Sequence, residues 1–186
     1  MIANRRSFLT TAGLGLFGSA MASPMASPFS QNSEDSIIKT EFAFKVEITL
    51  DKVLELGTTQ HGNRRIIPIT GGSFEGPQIK GTVVPGGADW QIIRSDGVAE
   101  LEARYTLQSN DDVLIYVLNR GYRHGPPDVM QRLSKGEPVD PKEYYFRATP
   151  VFETSVENYK WLTRYIFIAT GERKADRVIL DFYKLL

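Results

Sequence analysis

The chain has 186 residues, with 22 basic and 22 acidic groups, two histidines and no cysteine. One domain of ordinary size fits that length once a leader is set aside. Removing the two leader arginines leaves twenty basic against twenty-two acidic groups, a balance that gives no general attraction to nucleic acid or anionic lipid. Without cysteine there are no disulfides, thiolate metal sites, iron–sulfur clusters or cysteine nucleophiles.

The N-terminus reads as a leader. Asn4-Arg5-Arg6-Ser7-Phe8-Leu9 precedes a mildly apolar, glycine-containing stretch and then Ala20-Met21-Ala22. Paired arginines, weak hydrophobicity and a small-x-small cleavage site predict a twin-arginine signal over residues 1–22. The translocase of that route is then a partner during export, cleavage falls before Ser23, and the mature protein is periplasmic or otherwise exported. Cofactor-free passengers use the route too, so the leader implies no cofactor. Residues 23–40 are rich in Ser, Pro, Asn and Gln and read as a flexible tether. The folded domain is expected over 41–186. No apolar run approaches the roughly 18 residues of a membrane span, so the mature chain is expected to be soluble.

Over 41–50 the residues Phe42, Phe44, Val46, Ile48 and Leu50 alternate with Glu41, Ala43, Lys45, Glu47 and Thr49. Period two predicts a strand with one buried face. Further strands are predicted at 65–70, 73–84, 88–94, 98–108, 113–119, 144–153, 165–170 and 178–185. Turn chemistry separates them: Gly71-Gly72, Pro85-Gly86-Gly87, Ser95-Asp96-Gly97, Asn110-Asp111-Asp112 and Gly171-Glu172. A capping box at Thr154-Ser155-Val156-Glu157 predicts one short helix through Leu162. The proline-containing segment 121–142 shows no strand alternation and reads as a flap over one end of the fold. These elements describe an all-β, single antiparallel sheet of about eight to ten strands that closes into a barrel.

Several blocks resemble a known family: 64–77, with Gly71-Gly72-Ser73-Phe74-Glu75-Gly76-Pro77; Pro85-Gly86-Gly87-Ala88-Asp89-Trp90-Gln91; Leu101-Glu102-Ala103-Arg104-Tyr105; 145–154; and Tyr159-Lys160-Trp161-Leu162-Thr163-Arg164. Together they resemble family 3237 of domains of unknown function, also uncharacterised protein family 0311. The resemblance spans the chain from about Phe42 onward, implies a lipocalin-like antiparallel barrel, and supplies no reaction.

The candidate chemistry lies on the strands. Glu100, Glu102, Arg104 and Thr106 share one face of 98–107, opposite Leu101, Ala103, Tyr105 and Leu107. That polar face is either solvated exterior or charged lumen, and the resemblance favours the lumen for Glu102 and Arg104. Glu75 stands before Gly76-Pro77, where a backbone bend could aim it into a cavity or leave it in solvent. Asp89 follows a glycine-rich turn and either bonds the turn backbone or serves as an acid or base. Trp90, Arg147, Tyr105 and Trp161 are candidate ligand-binding groups; Tyr145 is another aromatic, and core packing is the alternative for all three rings of the Tyr and Trp161 set. His61 and His124 stand in no metal-ligand spacing, so no metal is expected.

The expected function is binding of a small, partly apolar molecule in a barrel. Glu75, Glu102 or Asp89 would serve as general acid or base in a cofactor-free isomerase, lyase or cyclase, with Arg104 or Arg147 facing a developing oxyanion. A non-catalytic carrier and a structural or interaction module are the alternatives. A homo-oligomer is compatible with all three.

Overall fold

The computed structural model describes residues 38–186, so the leader and most of the tether lie outside the described residues. Nine strands form one antiparallel sheet: β1 (Thr40–Leu50), β2 (Leu54–Thr59), β3 (Gly62–Glu75), β4 (Lys80–Ile93), β5 (Ala99–Ser109), β6 (Leu114–His124), β7 (Tyr145–Glu153), β8 (Phe167–Arg173) and β9 (Arg177–Leu185). Their order is β1-β9-β8-β7-β6-β5-β4-β3-β2, and β1 also pairs with β3. The β1–β3 pairing closes eight strands into a barrel and leaves β2 as a hairpin arm on β3. A closed sheet of this size has room for side chains or one small ligand.

Three expected turns are not turns. Gly71-Gly72 lies inside β3, Pro85-Gly86-Gly87 inside β4 and Gly171-Glu172 inside β8. The register of β3 with β4 shifts between Pro68 and Ser73, and that of β4 with β5 between Val84 and Ala88. Glycine runs here mark bulges at which long strands bend around the barrel. Gly72, at φ 139°, lies so close to β1 that a Cβ would stand 2.0 Å from the Glu47 carbonyl oxygen. Strand β2 escaped the sequence reading because Leu54 and Leu56 are exposed and bury no alternate face.

The barrel is filled unevenly. At one end Phe44 meets Phe182 (4.9 Å between ring centroids), Phe74 (5.9 Å) and Phe152 (5.9 Å), and Phe152 meets Phe167 (5.1 Å). This aromatic plug closes that end. Around it, the expected short helix is a 3₁₀ segment, Glu157–Thr163, whose Tyr159 hydroxyl donates to Asp111 Oδ1 at 2.6 Å.

The opposite end is covered by most of the segment read as a flap; its first residues, through His124, instead continue β6 and carry Arg123. It contains a helix that the alternation analysis did not predict, α1 (Pro127–Ser134), with Pro127 in its first turn and Val129 and Leu133 buried. A 3₁₀ turn, Pro141–Glu143, follows. Arg132 bridges to Glu143 at 2.6 Å and ties the helix to that turn.

Candidate functional site: a cationic mouth above a polar lumen floor

Inward positions on the barrel follow period two, and near the flap the series turns polar. On β6, Ile115 and Val117 are followed by Asn119 and Arg123; on β4, Asp89 and Gln91 face in; on β5, Tyr105 and Leu101 do. β3 brings Arg65 in line with Ile67 and Ile69, and β8 brings Arg173 in line with Phe167 and Ala169. Gly171 stands between Ala169 and Arg173 because its lumenal space holds the Phe146 ring, 2.5 Å from where a Cβ would be.

Two spaces result. A floor cavity of about 40 Å³ is walled by Ile48, Ile69 and Leu180 on its apolar side and by Asp89, Tyr105, Asn119 and Arg123 on its polar side. Above it lies a mouth of about 360 Å³ bounded by Arg65, Arg123, Arg173 and α1, which contributes Met130 and Leu133. Arg123 and Arg173 line both.

The electrostatics follow from burial. Arg123 is 5 % exposed, its guanidinium stands 5.8 Å from the Phe146 ring, and among the described residues it makes no hydrogen bond or ion pair. Burial, then repulsion from Arg65, pulls its pKa down to about 10 against the attraction of Asp89, with Arg173 adding to the repulsion; it stays charged at neutral pH. Arg65 donates from Nε to Gln91 Oε1 at 2.9 Å, and Arg173 from Nη1 to the Arg177 carbonyl at 3.2 Å. Tyr144 closes the side by accepting from the Arg173 backbone N–H at 2.9 Å.

Asp89 is the carboxylate within this space. Gln91 Nε2 donates to its Oδ2 at 2.5 Å and the Glu102 backbone N–H to its Oδ1 at 3.1 Å. Burial nevertheless raises its pKa above the usual carboxylate range, against the lowering effects of Gln91, Arg123, the Glu102 N–H and Arg65. Burial, and then the Asp89 charge, also raise Tyr105, so its hydroxyl remains a donor. Among the described residues, Tyr105 Oη, Asn119 Oδ1 and Arg123 Nε are buried without a protein partner. Orphaned polar atoms grouped around one cavity are unusual in native folds and call for an explanation.

Two of the candidate residues, Asp89 and Tyr105, therefore lie in the lumen. The expectation of lumenal Glu102 and Arg104 is corrected: both face outward, where Glu102 accepts from Arg104 (2.6 Å) and Arg120 (2.9 Å). Hydrogen bonds from Arg104 and then Arg120 hold Glu102 below the usual carboxylate range. Strand parity decides this, since Leu101 and Tyr105 must fill the inside. Glu75 is corrected as well: it is exposed beside Lys80 and Lys45 at the plugged end. Arg147 is exposed and donates to the Phe146 carbonyl at 2.8 Å, with Tyr145 stacked 5.4 Å away. Trp90 is half-buried under the Arg104 guanidinium (6.0 Å). Trp161 packs on Phe167 at the plugged end, 5.9 Å between centroids.

Trp90, Glu102 and Arg147 thus line a separate outer groove of about 720 Å³, with Arg64, Arg120 and Tyr122. It is the larger space, but Glu102 and Arg120 there form an exposed pair of the kind that contributes little, and Arg147 is exposed to solvent. The mouth holds three arginines that, among the described residues, form no ion pair and are offset through space mainly by the one carboxylate of Asp89. Among the described residues no cluster of three His, Cys, Asp or Glu side chains gathers as a metal site, and no helix is long and apolar enough to cross a membrane.

Known proteins share this barrel. A UPF0311 protein of Rhodopseudomonas palustris is 44% identical over 149 residues, covering 80% of this chain and 97% of its own. The crystal structure of a conserved protein of unknown function from the same species superposes with a TM-score of 0.79 at 44% identity, covering 81% of this chain and 99% of that one. A beta-barrel like protein from Acinetobacter baumannii gives 0.71 at 45% identity, covering 80% and 96%. An enzyme from Penicillium herquei, 21% identical with a TM-score of 0.60 over 80% of this chain and 95% of that one, shares the fold. The model of the "Protein of unknown function (DUF3237)" family matches residues 38–185, the entire barrel. With that match, and with relatives 44% identical along almost their full length, the chain belongs to the DUF3237 family, the UPF0311 proteins.

Proposed function

We propose that the barrel binds a small, partly apolar molecule through an anionic group seated in the mouth among Arg65, Arg123 and Arg173. The observation that carries this reading is Arg123, a buried cation without an ion pair, repelled by two further arginines. Burying a charge without an ion pair costs several kcal/mol, a cost that Asp89 offsets only in part and that a ligand anion would lower. Fixed guanidinium forks suit a carboxylate or similar oxyanion, and Met130 and Leu133 offer its apolar part a wall. The protein is then a cofactor-free acid/base enzyme if Asp89 moves a proton on the ligand, and a carrier if Asp89 only balances charge.

Titration calorimetry with benzoate and 4-acetylbenzoate tests the binding. We expect binding by the native protein, weakened at least tenfold in Arg173→Met and in Arg123→Met. Equal affinity in all three proteins would remove the mouth as the site.

We further propose that the chain is exported already folded by the twin-arginine route, on the strength of Arg5, Arg6 and Ala20-Met21-Ala22. Replacing both arginines by lysine should leave a full-length precursor in the cytoplasm. Normal export of that variant, followed by immunoblotting of cell fractions, would contradict the proposal.

A further inference from the structure

We propose that the floor of the lumen is a proton-transfer site for carboxylate-bearing ketones, with Asp89 as the base at the α-carbon and with Tyr105 and Arg123 holding the carbonyl oxygen. This rests on the reading of the mouth as an anion site and adds the chemistry below it. Two of the orphaned groups, the Tyr105 hydroxyl and Arg123 Nε–H, are donors, and they border the same cavity as the Asp89 carboxylate. Unused donors in a buried space are what an oxygen that gains negative charge requires. The third orphan, Asn119 Oδ1, is an acceptor, so the same oxygen can also be held in its enolic form. At about 40 Å³ the floor exceeds the space of one water and admits a small polar end of a molecule. Because Arg123 lines both spaces, a carboxylate at the mouth and a carbonyl at the floor belong to one molecule reaching down between them.

The step balances within the substrate. The α C–H bond breaks and its proton passes to an oxygen of Asp89, while its electron pair forms a C=C bond. The C=O π pair moves onto oxygen, where Tyr105 O–H and Arg123 Nε–H meet the charge. Return of the proton to the same carbon regenerates the ketone; return to the γ-carbon of a β,γ-unsaturated ketone shifts its double bond. Nothing is consumed, so no cofactor is needed. Asp89 keeps lone pairs free beyond the two that Gln91 and the Glu102 N–H occupy, and its raised pKa makes the ionised form a stronger base.

The test is hydrogen exchange in D2O, with 4-oxopentanoate and 4-acetylbenzoate as probes, following loss of the α-proton signals by NMR beside calorimetric binding of the same compounds. The native protein should accelerate exchange over buffer. Asp89→Asn should slow it by about 10²–10⁴ without weakening binding, since it removes a negative charge beside the arginines, and Tyr105→Phe should slow it by about 10²–10³ with binding still measurable. Tyr105→Phe deletes only an unpartnered hydroxyl, so it reports even if Asp89→Asn fails to fold. Binding without accelerated exchange, or exchange unaffected by both substitutions, overturns the proton-transfer site and leaves the anion site standing. No binding of either probe overturns both, and the floor then holds water alone.

Discussion

Arg123→Met should make the ligand-free protein more stable, by about 1–4 kcal/mol. The native side chain is 5 % exposed and faces Arg65 and Arg173 without an ion pair of its own. Methionine has a comparable length and an adaptable apolar end that can lie along Phe146. Asp89 loses one attracting cation in the exchange but keeps Gln91, the Glu102 N–H and Arg65. The gain from removing desolvated like charge therefore exceeds that loss. At roughly 2–4 °C per kcal/mol for a chain of this size, thermal melts by circular dichroism resolve it. A loss of several degrees would mean that Arg123 supports the fold, and the case for a ligand-seeking cation would weaken.

The largest loss of stability is expected at the other end of the barrel. Phe44→Ala should cost about 3–5 kcal/mol, because Phe44 is fully buried and touches Phe74, Phe152 and Phe182 at 4.9–5.9 Å. Its neighbours are held by strands on both sides, so the cavity collapses only in part. Urea denaturation measures the cost. A loss under about 1 kcal/mol would show that the plug is not the packed part of the core, whereas the expected result divides the barrel into a stabilising end and a binding end.

Much of this barrel was legible as period two. The alternation Phe44, Val46, Ile48 is uninterrupted, and hydrophobic burial on one face leaves no other reading for such a segment. The bulges were not legible, because a glycine pair reads the same whether the chain reverses at it or bends through it; only the pairing of Ser73 with Thr82 and of Ala88 with Arg104 separates the cases. Helix α1 was hidden by its length of eight residues, too short for a clear helical period.

The site was half visible. Asp89 and Tyr105 stood among the candidates, but charged residues grouped by themselves drew attention to Glu102, Arg104 and Arg147, which alternation places outside. The better signal is a charged residue occurring in step with an apolar series: Arg65 after the parity of Ile67 and Ile69, Arg123 after Ile115, Val117 and Asn119, and Arg173 after Phe167 and Ala169. Each sits at the flap end of its strand. A cation at an inward position must be either paired or waiting for a ligand, and sequence alone does not say which, since pairing depends on what neighbouring strands bring alongside.

The most direct measurement is a crystal structure of the protein with 4-bromobenzoate, whose bromine locates the molecule by anomalous scattering. The carboxylate should lie within hydrogen-bond distance of the guanidinium groups of Arg123 and of Arg65 or Arg173, with the ring against Met130 and Leu133. Bromine density in the outer groove beside Arg64, Arg120 and Arg147, with the mouth left to solvent, would contradict the account.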